Sequence, residues 1–381
     1  MPLRILHIIG GLGVGGANMM LCKLAASLNR AEFAGEVIAL IDHLTLAPQL
    51  EALGLPVHTL GMPMGRPTPQ GVAKLLRLVR AARPDLIQGW MYHGNIAGSF
   101  AASVLPGRTI PVVWNIRHSL HSLRHEKALS GLLIRLGAAW SNAPAAILYN
   151  SHVSAAQHER LGYSNRRRQV IPNGFDTDRL RPDPAARASV RAELNVPGDA
   201  PLIGLVARFH PHKDHRTFLE AAAIGTRQRP GSTYMLIGRD VTAANAELTD
   251  RIAALGLTAH VRLMGERDDI PRLTAAMDVA VCSSITEAFA NVIGEAMACG
   301  VPCVSTDVGD AAAILANVGR VVPPRNPAAL ARAWLDLLDL PQAERDALTA
   351  AARNRVIGQY SLNAVADRYA SLYRALGRRS G

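Results

Sequence analysis

An alternation that runs the length of the chain, and restarts midway, constrains this fold more than any other feature. Short apolar runs at Leu3–Ile9, Val37–Ile41, Leu86–Gln88, Pro111–Asn115 and Ala145–Tyr149 read as buried strands. Between them, amphipathic stretches such as Asn18–Leu28, Gly71–Ala82 and Val153–Leu161 read as helices. Helical crossovers between successive strands imply a parallel sheet. The rhythm returns after the polar, proline-rich Arg181–Pro201. Strands are then expected at Leu202–Ala207, Tyr234–Ile237, His260–Leu263, Val279–Cys282 and Cys303–Ser305. Helices are expected at Arg216–Thr226, Ala246–Leu255, Val292–Cys299 and Pro327–Leu338, with a last one over Leu362–Leu376. The predicted architecture is α/β, with two Rossmann-like doubly wound domains over residues 1–185 and 186–360. A helix and tail follow over 361–381. Such sheets take ligands beyond the carboxyl ends of their strands, so two facing domains predict a cleft.

Bulk properties narrow the class. A chain of 381 residues, 49% hydrophobic and 19% charged, is folded and too long for one ordinary core. No signal-peptide pattern opens it, and no apolar run reaches the roughly 18 residues of a membrane span. Leu129–Trp140 comes nearest, and Arg135 interrupts it. Four cysteines make no disulfide framework, and Cys299 and Cys303 read as small buried residues, so a reducing cytoplasm is expected. The net charge is +11, and residues 1–190 hold 20 Lys and Arg against 10 Asp and Glu. An anionic partner is therefore expected on the first half.

Two motifs carry chemistry. In "GGLGVGGAN", residues 10–18, Gly11, Gly13 and Gly16 fit G-x-G-x-x-G between a strand and a helix, and Asp42 ends the next strand. This pattern suits a nicotinamide or flavin site, another phosphate or substrate loop, or a tight turn, and it does not choose among them. In the second half, "VARFHPHKDH" places Arg208 and Lys213 just beyond a strand, where a guanidinium and an ammonium suit a diphosphate. Then "SSITEAFANVIGEAMACGVP", residues 283–302, sets Glu287 before a helix and Glu295 inside it, with seven residues between. The helix start offers unpaired amides and a positive dipole end to an anion. Glu287 can accept from sugar hydroxyls and Glu295 from both hydroxyls of a ribose.

Here the residues resemble the family 4 retaining glycosyltransferases of the GT-B fold, bacterial surface-polysaccharide type. "EAFANVIGE" resembles their E-x7-E motif. The resemblance extends to the glycine loop, "YNSH" at 149–152, "IPNGFD" at 171–176, "VARFHPHKD", and "GEAMACGVPCVSTDVGD" at 294–310. It implies the C-terminal helix crossing back to the first domain. It also implies Glu295 on the donor ribose, Glu287 on the transferred sugar, and Arg208 and Lys213 on the leaving diphosphate. The backbone of Phe289, Ala290 and Asn291 would meet sugar and phosphate. Gly15 and Gly16 would admit the donor, Asn173 would contact it, and Gly238 and Met264–Gly265 would lie by the base. His118, in "WNIRHSL", fits the family's active-site histidine, with His93 as runner-up. The sequence departs from the family with "GRD" at 238–240 instead of glycine-acid-glycine, and with alanine at 288 and 290.

The expected activity is metal-independent transfer, with retention, from a nucleoside-diphosphate sugar. UDP is favoured over GDP, and no cofactor is needed. The "DTD" string at 176–178 is not read as a metal pair, because Arg208, Lys213 and the helix end supply the positive charge. The expected acceptor is a glycan or polyprenyl-diphosphate-linked saccharide in surface-polysaccharide biosynthesis. Nucleic acid is not an expected partner. Lys74, Arg77 and Arg80, Arg124, Lys127 and Arg135 beside Leu129–Leu136, and Arg166–Arg168 point to an anionic bilayer. The expected location is the cytoplasm, peripheral at the inner face of the membrane. The rivals are a nucleotide-sugar epimerase of the same fold, a nicotinamide oxidoreductase, and a catalytically silent sensor of sugar nucleotides.

Overall fold

The computed structural model describes residues 1–105, 109–120, 123 and 128–377, so Arg124 and Lys127 lie outside the described residues. The chain divides into two compact units: Met1–Gly174 together with the helix Leu362–Gly377, and Phe175–Ser361.

The first unit is built on seven parallel strands. They are β1 (Leu3–Ile9), β2 (Phe33–Ala39), β3 (Val57–Thr59), β4 (Leu86–Trp90), β5 (Val112–Ile116), β6 (Ala146–Tyr149) and β7 (Arg168–Val170), in the order β3-β2-β1-β4-β5-β6-β7. The order reverses between β1 and β4, paired from Ile5↔Leu86 to Ile9↔Trp90. Side chains alternate across the sheet with period two. On β1, Ile5 and Ile9 enter one core layer and Leu6 and Ile8 the other. The C-terminal helix joins the first of these layers through Val365, Tyr369 and Tyr373. The Tyr373 hydroxyl donates to Gln88 Oε1 at 2.5 Å, which satisfies a polar group no water reaches. The helix thus returns to the first unit, covering a sheet face that parallel strands need covered.

The second unit repeats the plan with six parallel strands. They are β8 (Leu202–Val206), β9 (Thr233–Ile237), β10 (Val261–Leu263), β11 (Val279–Cys282), β12 (Cys303–Thr306) and β13 (Arg320–Val322), in the order β10-β9-β8-β11-β12-β13. Its reversal falls between β8 and β11. Again Leu202 and Val206 face one core layer, and Ile203 and Leu205 the other. Both sheets are doubly wound, as the alternation predicts. The proline-rich stretch after residue 181 holds a helix, Pro184–Glu193, capped by Asp183, whose carboxylate accepts from the Ala186 amide at 2.9 Å.

Candidate active site

The second unit's site grows from the ends of β8 and β11, the two strands at its reversal. Beyond β8 the chain makes a short 3-10 turn, Pro211–Lys213. It then enters the helix His215–Gln228, where Asp214 caps the Thr217 amide at 3.1 Å. The turn is tied to the β11 loop. Ser283 Oγ donates to the Lys213 carbonyl at 2.8 Å, and the Ile285 amide donates to the His212 carbonyl at 2.9 Å. This brings Lys213 to Glu287, and Nζ forms an ion pair with Oε1, which also accepts from Ser284 Oγ at 2.8 Å. Arg208 is exposed and makes no hydrogen bond or ion pair among the described residues. The local field is positive. His210 is held below its ordinary imidazole value by desolvation first, then by Arg208, His212 and Lys213. Chemically, one committed ammonium and one open guanidinium stand where an oxyanion can be met from two sides.

The loop from Ser283 to Ala290 is anchored from beneath. Phe289 stacks on Phe175 with ring centroids 6.2 Å apart, and Ala290 is buried in the same core layer. Gly294 faces Phe175 so closely that a β-carbon there would lie 2.2 Å from the ring. The helix Asn291–Ala298 follows without a side-chain cap, and Glu295 is half-buried on it. The Asn291 amide donates to the Phe289 carbonyl at 2.9 Å, so this donor is turned back into its own loop. Gly309, which the sequence reading did not single out, sits under the same loop at φ +54. A β-carbon there would lie 2.6 Å from the Glu287 carbonyl oxygen and 2.7 Å from that of Ala288. The signal was present in "STDVGD", a strand followed by a lone glycine.

Gly238 follows β9 directly, against the backbone of Ala207 and Arg208. Its hypothetical β-carbon would stand 2.3 Å from the Ala207 carbonyl oxygen and 2.7 Å from the Arg208 nitrogen. Its amide donates to the Gly265 carbonyl at 2.8 Å, which brings the Met264–Gly265 turn alongside. In the "GRD" turn, Asp240 takes the left-handed conformation, φ +63, which glycine adopts without strain. Asp176 of the "DTD" string accepts from the backbone amides of Asp178 at 3.2 Å and Arg179 at 3.0 Å, closing its own turn.

In the first unit, the glycine loop leaves β1 and opens the helix Gly16–Ser27. Gly13 is packed against His43, at 2.3 Å from a hypothetical β-carbon, whereas Gly15 and Gly16 have nothing within 4 Å. Asp42 accepts from Thr59 Oγ1 at 2.6 Å. His118 lies two residues beyond β5, with the Tyr92 ring edge-on at 6.3 Å and its own carbonyl accepting from Ser154 Oγ at 2.6 Å. His93, in the first turn of the helix Met91–Val104, is held below its ordinary value by burial. Asn173 belongs to this unit, and its Oδ1 accepts from Arg117 Nε at 3.1 Å.

Comparison with known proteins places this architecture in a class. The description Glycosyltransferase Family 4 matches residues 14–179, and Glycosyl transferases group 1 matches residues 200–340. The lipopolysaccharide core biosynthesis glycosyltransferase LpsE of Rhizobium meliloti is 31% identical over 59% of this chain and 63% of its own length. The D-inositol 3-phosphate glycosyltransferase of Salinispora tropica is 26% identical over 93% of this chain and 80% of its own. Anabaena HepE, solved in complex with UDP, superposes with a TM-score of 0.84 at 23% identity, over 98% of this chain and 100% of that one. HepE has also been solved with UDP-glucose. The chain belongs to the family 4 glycosyltransferases and has the GT-B fold.

Proposed function

We propose that the protein moves a sugar, with retention and without a metal, from a UDP-sugar to a saccharide acceptor in surface-polysaccharide biosynthesis. The observation that carries this reading is the Lys213–Glu287 pair beside the open Arg208, at the reversal of the second sheet. In this reading Arg208 and Lys213 take the charge that grows on the departing diphosphate, the main demand of the reaction. Glu287 holds the transferred sugar, Glu295 the ribose, and the turns at Gly238 and Met264 the base. The loop from Phe289 to Asn291 offers its backbone to sugar and phosphate. In this reading no side chain of the set acts as a nucleophile. The acceptor therefore attacks on the leaving-group face, and the departing phosphate takes its proton, with His118 assisting. UDP is favoured because HepE, of the same fold, is solved with UDP and UDP-glucose. A surface-glycan acceptor is favoured because LpsE acts in lipopolysaccharide core biosynthesis. The experiment is a melting screen with UDP-, GDP- and ADP-sugars and NAD, followed by assay of nucleoside diphosphate release in EDTA with saccharide acceptors. A shift with NAD alone, or sugar isomerised with no diphosphate released, overturns the reading.

Peripheral membrane docking through the first unit is part of the proposal. Leu129, Leu132 and Leu136 form an exposed stripe on the helix Ala128–Trp140, which Trp140 extends, with Arg135 beside it. The exposed Met64 adjoins this stripe, because a β-carbon on Gly65 would meet Leu129 at 2.6 Å. Among the described residues no helix is long and apolar enough to cross a membrane.

A further inference from the structure

Arg117 is a cation that the reading above leaves unused. It follows β5 by one residue, half-buried among neutral oxygens. Its Nε donates to Asn173 Oδ1 at 3.1 Å, and Nη2 reaches the same oxygen. Nη1 donates to Asn115 Oδ1 at 3.2 Å and to the Tyr369 hydroxyl at 2.9 Å. A guanidinium has five N–H groups, so one on Nη2 is left over. No carboxylate among the described residues pairs with it. Neutral oxygens satisfy geometry without cancelling charge, and a desolvated charge without a counter-ion is costly. Desolvation is also what lowers the pKa of this guanidinium.

A second unmatched group lies one strand away. β5 and β6 run in register to Ile116↔Tyr149, so Asn150 leaves its strand where Arg117 leaves its own. Asn150 is only 3% exposed, and its Oδ1 has no hydrogen-bond partner among the described residues. A spare charged donor and a spare acceptor thus share the carboxyl edge of the sheet, where doubly wound folds take their ligands. Water alone supplies no negative charge. An oxyanion with a neighbouring hydroxyl supplies both partners.

We propose that Arg117 and Asn150 form a subsite for an anionic acceptor, a saccharide carrying a phosphate or a carboxylate. Arg117 Nη2 donates to the oxyanion, and Asn150 Oδ1 accepts from an adjacent hydroxyl. The subsite rests on the reading that this protein transfers sugars and that its first unit takes the acceptor. The test uses the full chain carrying Arg208→Ala and Lys213→Ala, so that the diphosphate contacts of the second unit do not contribute. Calorimetric titrations compare glucose 6-phosphate, glucuronate and glucose. Saturable binding of an anionic sugar, with glucose at least tenfold weaker, is expected, and the tighter of the two anions identifies the group. Arg117→Met should weaken that binding at least tenfold. Asn150→Asp, which sets a carboxylate at the same strand end as the guanidinium, should abolish it by repelling the anion. Because Arg117 also anchors Asn173 and Tyr369, Asn150→Asp decides the matter if Arg117→Met does not fold. Glucose binding as well as the anions, or anion binding unchanged by Asn150→Asp, overturns the subsite. The melting shift of the unsubstituted protein with UDP-sugars is read alongside. A shift without anion binding removes the subsite alone, and no shift removes the glycosyl-transfer reading beneath it.

Discussion

Glycines at the carboxyl ends of the two sheets separate packing from ligand approach. At Gly238 and Gly309 a methyl would run into backbone carbonyl oxygens at 2.3 Å and 2.6 Å, so packing already demands glycine there. At Gly15 and Gly16 a methyl meets nothing within 4 Å. Gly15→Ala and Gly16→Ala should therefore leave Tm within about 2 °C, since surface changes away from special features rarely exceed about 0.5 kcal/mol. Donor KM should nonetheless rise at least fivefold if the donor approaches the loop. Unchanged kinetics would take the loop out of the site. The Lys213–Glu287 pair makes a second residue-level prediction. Lys213→Ala leaves a half-buried carboxylate without its cation, so it should cost more than the loss of one diphosphate contact. Lys213→Ala and Glu287→Ala should each lower kcat/KM by about 100-fold, and the double variant by far less than the product. Independent effects in that cycle would mean that the pair does not act as a unit. Both carboxylates of this motif were legible in the sequence, being acids in an apolar run. Their partners were not: that Lys213 reaches Glu287, or that Asn291 turns its amide into its own loop, depends on tertiary contacts that spacing does not carry.

Many long elements were legible but not all: Gln342–Tyr360, a 19-residue helix that buries only Ala352, Val356 and Tyr360, carries too thin an apolar stripe to mark it. Pro327–Leu338 is a helix over the residues that the periodicity marks. The strands Val57–Thr59, Arg168–Val170 and Arg320–Val322 went unread because three residues at or near a sheet edge give no alternation to see. The helix Met91–Val104 was missed for the opposite reason: it is apolar and small-residued around much of its surface, with Gly94 and Gly98 facing the sheet. Pro184–Glu193 lies within the polar, proline-rich stretch 181–201, where the sequence pattern marks no element. Yet Pro184 occupies the first helical turn, where a missing amide hydrogen costs nothing. That helix is held by Asp278, which pairs with Arg187 at 2.6 Å and Arg191 at 3.2 Å and accepts from the Leu202 amide at 2.8 Å. Asp278→Ala strands the deeply buried Arg191 and unties the start of β8. It should destabilise the protein by roughly 3 kcal/mol, the usual cost of halving a buried pair. Chemical denaturation measures this, and a loss below about 1 kcal/mol would assign the helix's anchoring to its apolar face instead.

For the whole molecule the relevant quantities are summed charge and its response to solution conditions. His7 in the first unit and His215 in the second are each pushed down to about 4, by burial above all. The unfolded chain protonates both near pH 6.5 while the folded chain does not. Their contribution is complete above about 6.5, falls with pH, and levels off below about 4, at up to about 1.4 kcal/mol per pH unit for each histidine. Denaturation midpoints at pH 7 and pH 5 check this, and equal midpoints refute it. The excess charge of the first half has a different consequence. Within the basic run 166–168, Arg167 donates to the Pro144 carbonyl at 2.9 Å and Arg168 meets Glu159 at 3.3 Å, so those two are engaged within the fold. Arg77 and Arg80 are exposed on the helix Pro69–Ala82, and Arg135 is exposed beside the leucine stripe. Each well-placed cation adds about 1 kcal/mol on an anionic bilayer, and insertion of the leucines adds a term that salt does not screen. Binding to anionic liposomes should therefore fall steeply, but not to zero, between low and high salt. Leu132→Ser with Leu136→Ser should remove the salt-resistant remainder, and Arg77→Ser with Arg135→Ser the salt-sensitive part. Sedimentation with anionic and neutral vesicles reads both. Equal binding to the two lipids, or none to either, would separate the positive charge from any membrane and leave the anionic acceptor as its partner.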